Sequence, residues 1–411
     1  MSTVMKTAKE RFETKWGDVY PGLGTGPIST ERYISEEHWQ RERVEIFGKL
    51  WLQVGREHEI AEPGQYFVVR IASNDADVII SRGRDGKIRA FYNICSHRGA
   101  AVTQKDRGQC RAFRCGFHGW NFGLDGSLRG VPDEADFECF DKAANGLTQV
   151  HVDTWESFIF INLAKGAVEN LQSYLGQLGK DLAGHPFHEA TGCYQYLIPV
   201  RANWKLALDS FQDLYHGPFL HHASGDNLPG PDNPFLHALD ITLDKRHRAL
   251  SVPRNPEHIP TQMESLAGRY GQYMYSKRKD GAKREPAAGV NRTRSDRWAF
   301  DINVFFPQFF CAVTEGSFYT FMFWPQSRNE TLIDFRMYYP QATTARDWIS
   351  QEYSRIRLRD TVFEDLDTIE AAQRGMESRS RDFINLKDQE IPIRHGHKVV
   401  EDVIHFYQRV S

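Results

Sequence analysis

Cys95 and His97, with Cys115 and His118 after seventeen intervening residues, are the side chains whose types and spacing point most directly to chemistry. They form a C-x-H pair and a C-x2-H pair. Each pair sets one thiolate and one imidazole on a tight loop. Two such loops facing each other can hold a two-iron, two-sulfide cluster, with both cysteines on one iron and both histidines on the other. Two neutral imidazoles in place of two thiolates leave the cluster less negative and raise its reduction potential, which suits it to relaying electrons. About a hundred residues further on, Asp213, His216 and His221 form a second constellation. Two imidazoles need one more carboxylate to complete a facial triad that leaves open positions on Fe(II) for dioxygen.

Spacing alone does not select that carboxylate. Asp365 is taken here, from the acidic stretch 362–373, with Glu364 and Asp367 as the alternatives. His222 is a competing imidazole for His221. Asp213 precedes His216 by three residues, so both fit one face of a helix. Gly217 and Pro218 should end any regular helix after His216.

The loops must be held by short strands. Between Leu50 and Asn162, apolar or alternating runs at 66–71, 77–81, 89–94 and 158–162 are separated by Gly, Asp and Asn, which describes a small all-β domain with the cluster loops at hairpin tips. Gly99, Gly116 and Gly119 allow the backbone to turn closely. A helix is expected from Glu36 to Phe47, capped by Ser35 and stopped at Gly48. Residues 1–30 look irregular. A helix over 168–183 and a strand over 194–200 lead to a helical stretch over 203–222. Residues 224–234 form a loop. The basic segment Lys277–Arg297 reads as a mobile, solvated loop. Aromatic-rich strands follow at 301–306, 309–313, 318–324 and 332–339, then helices at 345–376 and 395–407. The fold class is therefore α+β: an N-terminal all-β domain ahead of a domain whose antiparallel sheet is covered by helices. The expected divisions are a lead-in at 1–48, the cluster domain at 49–164 and the mononuclear iron domain at 165–411.

The chain has 411 residues, 40% of them hydrophobic and 13% aromatic, enough for a large core. Its formal charge of −3 favours no polyanion, so nucleic acid is not an expected partner. No apolar run reaches the ~18–20 residues of a membrane span. The charged N-terminus does not look like a signal peptide, so the cytoplasm is the expected compartment. The six cysteines are too scattered for a disulfide framework. No flavin or nicotinamide fingerprint is present, so reducing equivalents must come from another protein. Phe211, Phe305, Phe310, Phe321 and Phe323 are the expected lining of an apolar pocket over the iron, which suits a hydrophobic, aromatic substrate.

From residue 35 to 405 the chain resembles the catalytic α subunit of Rieske non-haem iron oxygenases of the aromatic-ring-hydroxylating type. The resemblance rests on Cys95-Ser96-His97-Arg98-Gly99, Cys115-Gly116-Phe117-His118-Gly119-Trp120, Asn203-Trp204-Lys205, Asp213-Leu214-Tyr215-His216, His221 and Glu364-Asp365…Glu370…Gln373. It departs from the family at Ser96 and Gly116, where Pro is usual after the ligand Cys, and at Asp209 and Ser210, where Glu-Asn is common. What the resemblance implies is a homotrimeric terminal oxygenase carrying a Rieske [2Fe-2S] cluster and a mononuclear Fe(II). Electrons from NAD(P)H would arrive through a reductase, a ferredoxin or both. Asp213 would bridge His118 of one subunit to His216 of the next. The outcome would be monohydroxylation, cis-dihydroxylation or oxidative dealkylation. The rival function is a non-catalytic Rieske protein for electron transfer or redox sensing.

Overall fold

A computed structural model describes residues 7–221, 224, 225, 227–270 and 285–406. His222, residues 277–284 of the basic segment and Tyr407 lie outside the described residues. The chain divides into two compact units, residues 43–174 and residues 1–42 with 175–411. Residues 43–48, including the π-helical stretch Arg43–Phe47, and residues 165–174 thus group with the cluster domain.

The unit at 43–174 is built from short antiparallel strands. Seven of them form one sheet in the order Leu52–Arg56, Phe158–Asn162, Gln149–Trp155, Ile88–Tyr92, Ala76–Arg82, Gln65–Ile71, Arg107–Gln109. Three more, Phe113–Arg114, Asn121–Phe122 and Leu128–Gly130, form a small sheet of their own. Val78, Ile79, Ile80, Phe91, Ile159 and Ile161 are buried in the core. Fully buried strands carry apolar residues on both faces, which is why these runs are continuous instead of alternating.

In the other unit, seven antiparallel strands stand in the order Gly192–Val200, Glu330–Tyr339, Phe318–Ser327, Phe309–Thr314, Trp298–Phe305, His247–Pro253, Asp240–Asp244. The short helix Trp204–Ser210 lies against this sheet and against the long helix Ala345–Glu377. Thr344 and Asp347 close a capping box at the start of the long helix, which satisfies its first free N–H groups. The short helix begins at Asn203, whose side chain accepts from Lys205 N and whose N–H donates to Gln373 Oε1 at 3.0 Å. Glu42, fully buried, accepts from both Trp204 Nε1 (2.7 Å) and Lys205 Nζ. Burial pushes the Lys205 pKa down against the opposing pull of Glu42.

Several elements differ from expectation. Residues 203–222 are not one helix: Trp204–Ser210 and Gly217–Leu220 are separated by an irregular turn. Pro218 opens the second helix, where its missing N–H does no harm, so Gly217-Pro218 is a start signal and not the stop expected of it. The helix near 168–183 is broken at Gly176, whose φ of 61° is outside the helical range. Asp244 caps the second half by accepting from Gln177 N (2.7 Å) and Leu178 N (3.1 Å). Residues 7–30 contain short helical turns at Ala8–Phe12, Trp16–Val19 and Pro21–Leu23. The last helix starts at Ile391, four residues early. Three arginines of the basic segment are anchored: Arg297 on Asp232, Arg292 on Asn303, Arg294 on the Val290 carbonyl. None of the described helices is long and apolar enough to cross a membrane.

Candidate metal centres

The two cluster loops repeat one backbone pattern. Cys95 N donates to the Ala100 carbonyl at 2.8 Å, and Cys115 N to the Trp120 carbonyl at 2.9 Å. Gly99 N donates back to the Cys95 carbonyl at 2.9 Å, and Gly119 N to the Cys115 carbonyl at 3.0 Å. Each loop thus closes five residues after its cysteine. The fourth residue after each cysteine is a glycine at φ 75°, in the left-handed region that a side chain disfavours. Gly116 is not among the positive-φ residues, so the demand falls on Gly99 and Gly119. Asn93 secures the first loop by accepting from Val102 N and Thr103 N and donating to the Thr103 carbonyl.

Side chains complete this region. Cys95 and Cys115 are buried. Burial pushes the Cys95 thiol pKa up, and the neighbouring Cys115 adds to the shift. Such thiols become thiolates most readily when a metal binds them. The His97 and His118 rings lie 4.5 Å apart. Trp120 stacks on His97 at 4.9 Å and is itself braced edge-on by Phe137 and Phe140. His97 Nδ1 is buried and has no hydrogen-bond partner among the described residues. A buried ring nitrogen without a partner, beside two paired thiols, fits the cysteine and histidine donor set of a two-iron cluster.

His216 and His221 bracket the helix Gly217–Leu220 at its two caps. Their Nε2 atoms are 3.0 Å apart, and Asp365 Oδ1 lies 3.4 Å from the first and 3.2 Å from the second. Among the described residues these three form a set whose donor atoms all lie within 4.8 Å of one another. A facial set at right angles with bonds of ~2.1 Å needs donors ~3.0 Å apart. The other ring nitrogens face acids. His221 Nδ1 is 2.8 Å from Glu364 Oε2, which also accepts from Ser224 Oγ at 2.7 Å. His216 Nδ1 is 3.4 Å from Asp213 Oδ2. With each Nδ1 proton directed at a carboxylate, both Nε2 lone pairs converge on a carboxylate oxygen. That arrangement repels itself unless a cation sits between them. Burial opposes charge on His221, but Asp365 and Glu364 outweigh it and raise its pKa above the usual value.

Of the three candidate acids, Asp365 lies beside both Nε2 atoms, Glu364 lies against His221 Nδ1, and Asp367 is exposed. Asp209 does not reach the triad. It accepts from Tyr33 Oη at 2.9 Å and lies 3.0 Å from His397 Nε2.

An apolar cavity opens over the triad. Leu358, Thr361, Val362 and Asp365 reach it from one face of the long helix, Val252, Phe300, Ile302, Phe310, Tyr319 and Phe321 from the sheet, and Ser210 and Phe211 from the end of the short helix. Of the five expected phenylalanines, Phe211, Phe310 and Phe321 line it and two do not. Phe305 alternates with Phe300 and Ile302 along its strand, which sends it to the opposite face against His247 and Phe309. Phe323 shares the face of Phe321 but lies one step past the cavity, packed on Phe211 at 5.8 Å. Val252, Ile302 and Tyr319 were missed. Their strand parity, set by the pairs Ala312↔Tyr319, Ile302↔Ala312 and Val252↔Phe300, is the signal that finds them.

These features define an α subunit of ring-hydroxylating oxygenases. A family model for the ring hydroxylating alpha subunit (catalytic domain) matches residues 187–405, and one for the Rieske [2Fe-2S] domain matches residues 50–141. The chain belongs to this family. It is 34% identical over 209 residues to the benzene 1,2-dioxygenase subunit alpha of Pseudomonas putida, covering 49% of this chain and 45% of that one. It is 35% identical over 228 residues to the chlorobenzene dioxygenase subunit alpha of Cupriavidus sp. (strain PS12), covering 53% and 49%. The chain spans about half the length of the curated relatives it matches. Among solved structures, naphthalene 1,2-dioxygenase from Rhodococcus sp. bound to indole superposes with a TM-score of 0.72 at 19% identity, covering 98% of this chain and 99% of that one. The quaternary ammonium Rieske monooxygenase CntA, with an inhibitor, gives 0.73 at 20%, covering 94% and 98%. At these identities the likeness is one of fold.

Proposed function

We propose that this chain is the terminal oxygenase of a multicomponent Rieske system, inserting oxygen from dioxygen into a hydrophobic, aromatic substrate. The observation that carries this is the triangle of His216 Nε2, His221 Nε2 and Asp365 Oδ1 at one end of an apolar cavity. A ferrous ion held by that triangle would supply dioxygen activation, and a cluster held by Cys95, His97, Cys115 and His118 would supply electrons.

The chain's own residues account for the rest. Glu364 and Asp213 fix the tautomers of His221 and His216, which keeps both Nε2 lone pairs turned toward one point. Asp213 has a second role in a homotrimer: its carboxylate would also accept the N–H of His118 from a neighbouring copy and couple the two histidines. The aromatic walls hold the substrate in place and keep water from the reacting end. Monohydroxylation, cis-dihydroxylation and oxidative dealkylation then differ in which substrate atom the walls present. Reducing equivalents would come from NAD(P)H through a reductase, a ferredoxin or both.

The test is metal content together with labelled dioxygen. The oxygenase should hold about three irons and two sulfides per chain and transfer label from dioxygen to an aromatic product. About two irons with no labelled product would make it an electron carrier, and zinc without sulfide would dismiss both functions.

A further inference from the structure

Tyr319 is the exception in the cavity wall. It stands on the strand Phe318–Ser327 opposite Ala312 and Met337, with Phe300, Phe310 and Phe321 around it at ring separations of 5.9–6.3 Å. Burial pushes the phenol pKa up, so the hydroxyl stays neutral and keeps its proton. Among the described residues the hydroxyl has no hydrogen-bond partner, and Tyr319, part-exposed, lines the cavity. A cavity-wall phenol with no partner is a donor available to a bound molecule.

The other polar groups there are already engaged. Ser210 Oγ donates to the Leu206 carbonyl at 2.9 Å, and Thr361 Oγ1 to the Arg357 carbonyl at 3.0 Å. Among the described residues no lysine or arginine lines the cavity, and the acids there, Asp213 and Asp365, are both at the triad. An anionic substrate would find no counter-charge. A plain hydrocarbon filling the cavity would cut the phenol off from water and leave it unpaired, which is unfavourable.

We infer that the substrate is a neutral, planar apolar molecule bearing one hydrogen-bond acceptor, such as a ketone or ether oxygen, and that Tyr319 anchors this acceptor and so sets which edge meets the iron. The inference rests on the oxygenase function proposed above and narrows its substrate class. Tyr319 is a positioning residue in this account.

The test uses two ligands of matched shape, 1-indanone and indane, titrated calorimetrically into holoenzyme with or without Tyr319→Phe. Loss of one neutral hydrogen bond should lower the indanone-to-indane affinity ratio by roughly 3- to 10-fold. A structural role would weaken both ligands alike, leave the ratio unchanged and overturn the inference. Binding of neither ligand would overturn it too, as would tighter binding of 1-indanecarboxylate than of 1-indanone. Iron content measured on the same samples separates the two claims. A fallen ratio on a chain without mononuclear iron removes the oxygenase and keeps the anchor; an unchanged ratio on a chain with about three irons does the reverse.

Discussion

The two metal-binding regions of this chain are built on opposite plans. The cluster loops are local: the candidate ligands, closing hydrogen bonds and left-handed glycines all fall between residues 95 and 120. The mononuclear site is assembled at long range. Its candidate histidines cap a helix of four residues, while the candidate carboxylate comes from a separate helix about 145 positions later. A local site depends on what the backbone can do at a few positions. A long-range site depends on whatever holds two elements in register, here Gln373 and Glu370 on the long helix, bonded to Asn203 and Arg201 ahead of the short one.

The sharpest break of this contrast is at Asp365. Asp365→Ala should lower iron from about three to about two per chain and abolish turnover, with the visible absorption of the cluster unchanged. Glu364→Ala should instead keep the site but loosen it, with iron affinity falling roughly 10- to 100-fold by competition with a chelator. If the two variants exchange these phenotypes, the ligand has been misplaced by one residue.

Next in size is Asp213→Ala. Both centres should stay largely filled while turnover drops on the order of 100-fold, because the acid between the two imidazoles is lost. Turnover like that of the unmodified protein would remove the bridging role.

On the local side, Gly119→Ala should cost about 1–2 kcal/mol from its left-handed backbone and release cluster iron sooner on heating. Gly116→Ala should stay within about 0.5 kcal/mol, since a methyl there meets nothing within 4 Å. Equal losses at both glycines would argue against the repeated loop pattern.

The smallest effect is electrostatic. Burial, then the negative charge of Asp213, pushes the Glu390 pKa up to about 7. Its unfolded value is 4.5, so stability that is full below that pH is lost as pH rises through about 7. Glu390→Gln should therefore gain on the unmodified protein between pH 5 and pH 8, by a few degrees of melting temperature. A constant gap across that range would show that Glu390 titrates normally.

How legible each region was follows from the same contrast. Cys95, His97, Cys115 and His118 stood out because their spacing is itself the structure of the loops. The four sheet strands from 298 to 339 were readable from their apolar and aromatic runs. Parity was not: without the partner strand, nothing in the run shows that Phe310 and Phe305 face opposite ways. The choice of Asp365 over Glu364 depends on helix rotation, because neighbouring residues point about 100° apart. The buried positions Val362, Asp365 and Ile369 mark the inward face, but exposed Phe363 blurs the pattern in the sequence. The break between Ser210 and Gly217 was hidden because Phe211 to Tyr215 contain no glycine or proline.

Anomalous diffraction at the iron edge tests the central claim most directly. The account predicts one isolated iron peak within bonding distance of His216 Nε2, His221 Nε2 and Asp365 Oδ1, and a close pair of peaks between the loops of Cys95 and Cys115. A filled pair with no iron at His216 and His221, in protein that still oxygenates an aromatic substrate, would contradict it.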